Sequence, residues 1–176
     1  MLFVGTVEPR KNLPMLVRAF DRLAVDHPDV VLVVAGPDGW GVEAYDEAVR
    51  AATHSDRIHR IGYVDGADKA DLLGGASVLA YASVYEGFGH PPLEAMQVGV
   101  PVVAADAGAL PEVLGDAALL PDPTDADNVA GALTRALDDD ELRDTLIRRG
   151  YERAARYRWD EAARAFTSEY ERLAGG

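Results

Sequence analysis

The chain has 176 residues, of which 48% are hydrophobic and none is cysteine, and its formal net charge is −13. This length and apolar content predict one globular domain with a sizeable core, and the lack of cysteine excludes disulfides and thiolate metal sites. The negative charge argues against binding to nucleic acid or to an anionic membrane surface. Apolar runs such as residues 30–35 are too short to span a bilayer. The first residues resemble a strand rather than a signal peptide, and we expect a cytoplasmic protein.

Short apolar runs alternate with amphipathic helical segments along the chain, which predicts a parallel sheet with crossover helices. The expected strands are 2–4, 30–35, 58–61, 77–80, 101–105 and a short sixth at 118–120. The expected helices are 13–26, 42–53, 67–75, 91–98, 110–114, 126–137, 140–157 and about 159–173. The predicted fold class is α/β, a Rossmann-like three-layer α/β/α domain with a mostly parallel sheet of about six strands.

The loops that follow the expected strands contain most of the glycines and charged residues that suggest a site. Ligands of open parallel sheets bind outside the carboxyl ends of the strands. Each of these loops lies at such an end, so we expect them to converge on one edge of the sheet: 5–12, 36–41, 62–66, 83–90 and 106–109.

The most informative loop is residues 86–94, with the sequence EGFGHPPLE. Gly87 and Gly89 let backbone amides approach a ligand, because glycine lacks Cβ and tolerates unusual φ angles. The two prolines fit the first turn of a helix, whose N-terminus attracts an anion, phosphate above all. Glu86 and Glu94 would repel phosphate and are better suited to accept hydrogen bonds from hydroxyl groups. A nucleoside diphosphate sugar has both chemical features.

This segment resembles the donor-site signature of retaining glycosyltransferases of family four, whose GT-B fold contains two Rossmann-like domains. Further segments in the family's order extend the resemblance over essentially the whole chain: 3–12 (FVGTVEPRKN), 34–37 (VAGP), 61–64 (IGYV) and 108–112 (GALPE). The resemblance implies that residues 1–176 form a single nucleotide-sugar-binding domain. This domain would be the C-terminal half of a two-domain enzyme, one half of a GT-B fold, and the missing N-terminal half would bind the acceptor.

The resemblance also implies roles for three charged residues. Glu94 would accept hydrogen bonds from the ribose hydroxyls, or it would merely complement the helix dipole. Glu86 would contact hydroxyls of the donor sugar near the reacting carbon, with a solvated loop glutamate as the alternative. Lys11 would neutralise the diphosphate, whose charge grows as the glycosidic bond breaks. Lys11 and Glu86 are therefore the expected catalytic residues.

The first loop departs from the commoner family pattern. Many members have an arginine directly after the glycine of this loop, whereas this chain has Thr6 after Gly5. Arg10, directly before Lys11, is the candidate to replace it, unless its side chain points to solvent.

The other expected contacts are less specific. Tyr63 and Val64 would bracket the nucleobase or form an edge of the core, and Ser83 would contact a phosphate or satisfy its turn. His90 is expected at helix entry, with a general base as the minor alternative. The full donor-binding set comprises Gly5, Thr6, Arg10, Lys11, Gly36, Tyr63, Val64, Ser83, Glu86, Gly87, Phe88, Gly89, His90, Leu93 and Glu94.

No metal and no cofactor are expected beyond the substrate nucleotide sugar. Asp125 and Asp127 have the spacing of a metal-binding pair, but they open a helix, where capping explains them. The four histidines of the chain show no ligand spacing.

The sequence therefore predicts the donor domain of a hexosyltransferase that is inactive in isolation. Mannose from GDP-mannose is favoured over a UDP-hexose, because residues 8–12 (EPRKN) resemble bacterial mannosyltransferases. A non-catalytic sugar-nucleotide or partner-binding module is the alternative. Residues 157–161 resemble the segment where the last helix crosses to the partner domain, and Trp159 would cover apolar surface or join an oligomer contact. Any peripheral membrane contact is expected from the missing half.

Overall fold

The structure, a computed structural model, describes residues 1–174. Its sheet has five strands: β1 (Leu2–Val4), β2 (Leu32–Ala35), β3 (Ile58–Gly62), β4 (Leu79–Tyr81) and β5 (Val102–Ala104). Their order is β3-β2-β1-β4-β5, and every neighbouring pair is parallel. The expected α/β fold with a parallel sheet is confirmed.

Eight helices flank this sheet within residues 1–174: α1 (Leu13–Leu23), α2 (Glu43–Ala51), α3 (Gly66–Gly74), α4 (His90–Gln97), α5 (Leu110–Leu114), α6 (Ala126–Asp138), α7 (Asp140–Ala154) and α8 (Trp159–Ala174). α1 packs against α2 and α6, whereas α4 packs against α3 and α7. Because parallel crossovers are right-handed, the reversal of direction after β3 places these two groups on opposite faces of the sheet. None of these helices is long and apolar enough to cross a membrane.

The prediction of a sixth strand at 118–120 is wrong. Leu119 forms an isolated bridge to Val103, in which its N–H donates to Val102 O at 3.0 Å and its carbonyl accepts from Ala104 N at 2.9 Å. The next donor toward the sheet would be residue 121, which is a proline and has no N–H. Pro121 O still accepts from Asp106 N at 3.0 Å, but without an N–H on the proline no second bridge forms, so the sheet has five strands rather than six.

The sheet order creates a switch point between β1 and β4. From β1 the chain moves outward through β2 and β3, and it returns to place β4 on the other side of β1. The loops that follow β1 and β4 therefore diverge around a crevice, the usual ligand position in such folds. A backbone hydrogen bond from Val84 N to Arg10 O, 2.9 Å long, joins the two loops.

The loops after β1 and β2 pack directly against each other at Gly36. Gly36 has a φ of +147°, and a Cβ at this position would lie 2.0 Å from Gly5 O. Gly5 N donates to Ala35 O at 2.9 Å, and Gly36 N donates to Gly62 O at 2.7 Å. Only glycine fits position 36, because its φ is one that other residues rarely adopt and because a Cβ would clash with Gly5 O.

We therefore predict opposite effects of two glycine-to-alanine changes. Gly36→Ala should lower the free energy of unfolding by about 2 kcal/mol or more, because it combines a strained φ with a backbone clash. Gly131→Ala, inside α6 where an added Cβ meets no atom within 4 Å, should raise it by about 0.5–1 kcal/mol. Urea denaturation of both variants measures the two effects, and equal stabilities would contradict the close loop packing.

Candidate functional site

The centre of the site is a buried ion pair between Lys11 and Glu86, on the two loops that flank the switch point. Their side chains are only 7% and 10% exposed, and Lys11 Nζ contacts Glu86 Oε1. The Tyr81 hydroxyl, at the end of β4, lies 2.9 Å from Lys11 Nζ and donates to Glu86 Oε1 at 2.8 Å. These three groups form the Lys11–Tyr81–Glu86 cluster.

Arg10 engages the other oxygen of the same carboxylate. Its Nη1 lies 2.8 Å from Glu86 Oε2 and 3.2 Å from Tyr85 O, and its Nε lies 2.7 Å from Glu8 Oε1. The Arg10 side chain is 43% exposed, so it closes the solvent side of the cluster. Arg10 thus contacts Glu86 while its side chain stays partly exposed to solvent, and its role in place of the family's arginine remains a prediction.

The cluster separates the protonation states of its two acids. Burial alone would raise the pKa of Glu86, but the hydrogen bonds from Lys11 and Tyr81 outweigh burial and hold the pKa below its usual value. Burial and the neighbouring charge of Glu86 raise the pKa of Tyr81. Glu86 is therefore an ionised acceptor at neutral pH, and Tyr81 stays a neutral donor.

A groove of about 390 Å³ lies beside this cluster, at the carboxyl ends of β1, β2 and β3. Tyr63 is 75% exposed, so it is not an edge of the core, whereas Val64 is half-buried against the core. Five residues of the predicted donor-binding set line this groove: Gly5, Thr6, Gly36, Tyr63 and Val64. Lys69, which was not predicted, lines it as well.

Lys69 connects the groove to α4. Its Nζ donates to Glu94 Oε1 at 2.7 Å, and Glu94 lies about one turn into α4 as expected. Glu94 Oε2 is buried and has no hydrogen-bond partner among residues 1–174. The carboxylate of Glu94 is thus only half satisfied within the described protein.

The two glycines of residues 86–94 differ. Gly89 has a φ of +100° and caps α4, and a Cβ there would lie 2.7 Å from Leu110 Cδ2. Gly87 does not have a positive φ, and a Cβ there would meet no atom within 4 Å. Gly89 therefore uses the conformational freedom of glycine, whereas at Gly87 the missing side chain leaves open space beside the backbone.

The remaining predicted residues line a second cavity, of about 680 Å³, between α4 and the start of α8. His90 begins α4, as expected for helix entry, and its ring centroid lies 5.0 Å from that of Phe88 and 6.2 Å from that of Trp159. Leu93 is buried on α4, and Glu94 borders the same cavity.

Ser83 is fully buried next to Tyr81 and Glu86, and its hydroxyl lowers the pKa of both groups, although its Oγ meets no partner in full hydrogen-bond geometry among residues 1–174. The expectation that Ser83 satisfies its own turn therefore finds no support in the hydrogen bonds.

Asp125 is a helix cap, as the sequence indicates. Its Oδ1 accepts from Asp127 N at 2.9 Å and from Asn128 N at 3.2 Å, while Asp127 pairs with Arg22 at 2.9 Å. Residues 1–174 contain no group of three or more metal-ligating side chains. Metal-free binding remains a prediction.

Two functional candidates, Tyr81 and Lys69, were not predicted. Tyr81 follows directly after the expected fourth strand, so an aromatic hydroxyl at the carboxyl end of a strand was the available signal. Lys69 is the one cation in the sequence of α3, GADKADLLG, and only the packing of α3 against α4 shows its partner.

Comparisons with known proteins agree with this architecture. Residues 1–153 match the family described as glycosyl transferases group 1, and the chain therefore belongs to this family. Its sequence is 36% identical over 173 residues to the O-antigen chain mannosyltransferase B of Escherichia coli, covering 98% of this chain and 45% of that protein. It is also 36% identical over 179 residues to the phosphatidyl-myo-inositol mannosyltransferase of Mycolicibacterium smegmatis, covering 99% of this chain and 45% of that protein.

A solved structure of sucrose-phosphate synthase from Thermosynechococcus elongatus matches with a TM-score of 0.88 and 30% identity, over 99% of this chain and 45% of that one. The expected family and fold are therefore confirmed. The chain spans about half the length of the curated relatives that it matches, 45% in both cases.

We predict that the Lys11–Tyr81–Glu86 cluster makes stability depend on acid pH. Because the folded pKa of Glu86 is depressed, its stabilisation is complete above the pKa of an unfolded glutamate, about 4.3, and is lost as pH falls through the folded pKa. Glu86→Gln should flatten the decline of unfolding free energy between about pH 5 and pH 3. Glu141→Gln, at an exposed position of α7, is the matched control. Parallel pH profiles for wild type and Glu86→Gln would contradict the assignment.

Proposed function

We propose that the chain is the donor nucleotide-sugar-binding domain of a retaining glycosyltransferase that transfers a hexose. The observation that carries the proposal is the buried Lys11–Tyr81–Glu86 cluster at the switch point between β1 and β4. Folds of this class bind ligands at this point. The cluster places the Lys11 ammonium beside the ionised carboxylate of Glu86, which can accept hydrogen bonds from hydroxyl groups. A nucleoside diphosphate sugar has phosphates for the first group and hydroxyls for the second.

The donor would extend along the carboxyl edge of the sheet. Its nucleobase would occupy the groove beside Tyr63 and Val64, and its ribose would lie near Glu94. The diphosphate would face Lys11, and the donor sugar would face Glu86. The groove, Lys69 and α4 support this order because they form a continuous path from the loop after β3 to the loop after β4.

The cations would also act in the chemical step. As the glycosidic bond breaks, the departing nucleoside diphosphate gains negative charge, so a fixed cation stabilises the transition state more than the ground state. Lys11 is fixed by Tyr81 and Glu86, which limits the reorganisation needed during reaction. Arg10 would supply the second positive charge that Thr6 does not.

Mannose on GDP is the favoured donor, because two relatives that cover nearly this whole chain are named mannosyltransferases. A UDP-hexose is the second candidate. Binding would need neither a metal nor a further cofactor, since Lys11, Arg10 and backbone amides would neutralise the diphosphate.

Catalysis would require an N-terminal half that binds the acceptor, since the chain spans only 45% of these relatives. The exposed apolar side chains along α8 support a contact with such a half: Trp159, Phe166, Tyr170 and Leu173. A non-catalytic binding module is the second hypothesis. Donor hydrolysis by the chain joined to an N-terminal half, and its absence in the isolated chain, would favour the enzyme.

Calorimetric titration with GDP, UDP and their sugar-linked forms, in buffer with EDTA, tests the donor site. Wild type should bind at least one nucleotide pair in the chelator. Lys11→Met should weaken a nucleoside diphosphate and its sugar-linked form alike, by about tenfold, and the loss should shrink at high salt. Arg18→Met, at an exposed position of α1, controls for removal of a positive charge.

Glu86→Gln separates the sugar from the nucleotide in the same titrations. It should keep nucleoside diphosphate affinity or raise it, because Lys11 is released from its partner, and it should remove the preference for the sugar-bearing form. Because Lys11 and Glu86 are in direct contact, the double variant Lys11→Met/Glu86→Gln is needed to measure their coupling. Failure of every nucleotide to bind wild type would reject the proposal.

The two glycines of the loop after β4 provide a further prediction. Gly87→Ala should leave thermal stability unchanged, because its Cβ meets no atom within 4 Å, yet it should weaken binding if a ligand occupies that space. Gly89→Ala should cost about 1–2 kcal/mol of stability through its positive φ. Thermal denaturation with and without nucleotide separates these effects. Unchanged nucleotide affinity in Gly87→Ala would place the ligand elsewhere.

A further inference from the structure

Tyr81 is the member of the Lys11–Tyr81–Glu86 cluster that the sheet itself holds in place. It is the last residue of β4, it is only 2% exposed, and its backbone carbonyl accepts from Ala105 N at 2.9 Å. Its ring stacks on that of Phe3 in β1, with the centroids 5.8 Å apart and an angle of 16° between the planes. Lys11 and Glu86, by contrast, lie on the loops after β1 and β4. The strands therefore fix the Tyr81 hydroxyl, and the loops bring the two charges to it.

The Tyr81 hydroxyl bridges the two charges in one direction only. A phenolic hydroxyl donates one hydrogen bond and also accepts, whereas an ammonium group donates and cannot accept. Lys11 Nζ, 2.9 Å away, must therefore donate to the Tyr81 oxygen, and the Tyr81 proton is directed to Glu86 Oε1 at 2.8 Å. As long as Lys11 is charged, Tyr81 is thus a donor to Glu86.

This donor has its greatest value once a nucleotide sugar has bound. On the proposed function, the diphosphate attracts Lys11, which weakens the contact of the lysine with Glu86. A buried carboxylate that loses a donor is unfavourable. Tyr81 belongs to the sheet, so its hydroxyl stays on Oε1 and keeps the carboxylate oriented. Oε2, which Arg10 contacts from the solvent side, is then the oxygen available to the hydroxyls of the sugar.

The other groups that face Glu86 do not supply this constraint. Arg10 is 43% exposed and also pairs with Glu8, so its position is set by a surface loop. Ser83 is buried beside the cluster, but its Oγ meets no partner in full hydrogen-bond geometry among residues 1–174. Within the same residues, Tyr81 is the one neutral side chain that donates a hydrogen bond of full geometry to Glu86.

We propose that Tyr81 is a positioning residue whose hydroxyl holds the Glu86 carboxylate in place and thereby sets the preference of the site for a sugar-linked nucleotide over the nucleoside diphosphate alone. The inference rests on the proposed function, because it requires a nucleotide sugar at the cluster. It assigns this preference to an uncharged strand residue that itself contacts neither phosphate nor sugar.

Tyr81→Phe tests the inference, because it removes the hydroxyl and keeps the ring that stacks on Phe3. Calorimetric titration of the whole chain with GDP and GDP-mannose measures the preference, with UDP and UDP-glucose used if uridine nucleotides bind more tightly. Tyr81→Phe should lower the preference about tenfold, the scale of a hydrogen bond to a charged group, and should change the affinity for the nucleoside diphosphate by less than about threefold. Tyr45→Phe, at a buried tyrosine of α2 whose ring lies 5.6 Å from Arg60 Cζ, should keep the wild-type preference.

The pH profile of the preference separates this role from a merely structural one. Hydrogen bonds from Lys11 and Tyr81 hold the pKa of Glu86 below its usual value against the effect of burial, so wild type should keep its preference as pH falls from about 8 to about 5. In Tyr81→Phe one of these bonds is missing, so the pKa of Glu86 should rise and the preference should disappear at a higher pH than in wild type. Tyr45→Phe shows the contribution of the ligand phosphates, which titrate alike in every variant.

A double variant tests whether Tyr81 acts through Glu86. In a Glu86→Gln background, adding Tyr81→Phe should change the preference little, because the carboxylate that the hydroxyl positions is gone. Thermal denaturation establishes that each variant is folded. Both ligands are compared on the same variant, so a change in stability alone does not alter the preference.

The outcomes distinguish the two proposals. A wild-type preference in Tyr81→Phe, or equal weakening of both ligands, would overturn the role of Tyr81 while leaving nucleotide binding established. A further loss of preference in the Glu86→Gln background would overturn action through Glu86. Loss of the wild-type preference above about pH 5 would contradict the inference without the use of any variant. Absence of nucleotide binding by wild type would reject the proposed function itself.

Discussion

The structure of the site depends on the burial of two opposite charges, Lys11 and Glu86, against one another. Removing either charge from water costs several kcal/mol, and their attraction in the interior offsets this only with good geometry and further hydrogen bonds. Tyr81 supplies one such bond to Glu86, and Arg10 supplies another. Buried pairs of this kind contribute little net stability. Net stability therefore does not account for the cluster, and this agrees with the proposed function.

The ion pair also constrains the backbone around it. Lys11 and Glu86 are 75 residues apart, and they meet only because β4 lies next to β1 in the sheet. The loop after β5 supports Glu86 from behind: Ala109 N donates to Glu86 O at 3.2 Å, and a Cβ on Gly108 would lie 3.0 Å from Glu86 N. Loops from three strands are thus needed to hold one carboxylate.

Much of this fold could be predicted from the sequence because buried parallel strands leave continuous apolar runs, and glycines and prolines separate them from helices. The prediction of a sixth strand was wrong, because it rested on the apolar character of residues 118–120. Pro121 lacks the N–H that the next hydrogen bond of the ladder would need. Lys11 and Glu86 are each predicted as candidate site residues from the resemblance of their loops to the family's donor-site segments. Their mutual contact, and the link from Lys69 to Glu94, depend on how distant elements pack, which no local pattern contains.

The same packing explains how an acidic chain could bind an anionic donor. A net charge of −13 repels a diphosphate at long range, but screening limits this repulsion to about 8–10 Å at physiological salt. At the site itself, both Glu86 oxygens are already engaged by cations. On the proposed function, the diphosphate would take part of the Lys11 and Arg10 contacts, while the sugar hydroxyls would replace them on Glu86. Each buried charge would keep a partner throughout this exchange, so the donor could enter without leaving an isolated charge in the interior.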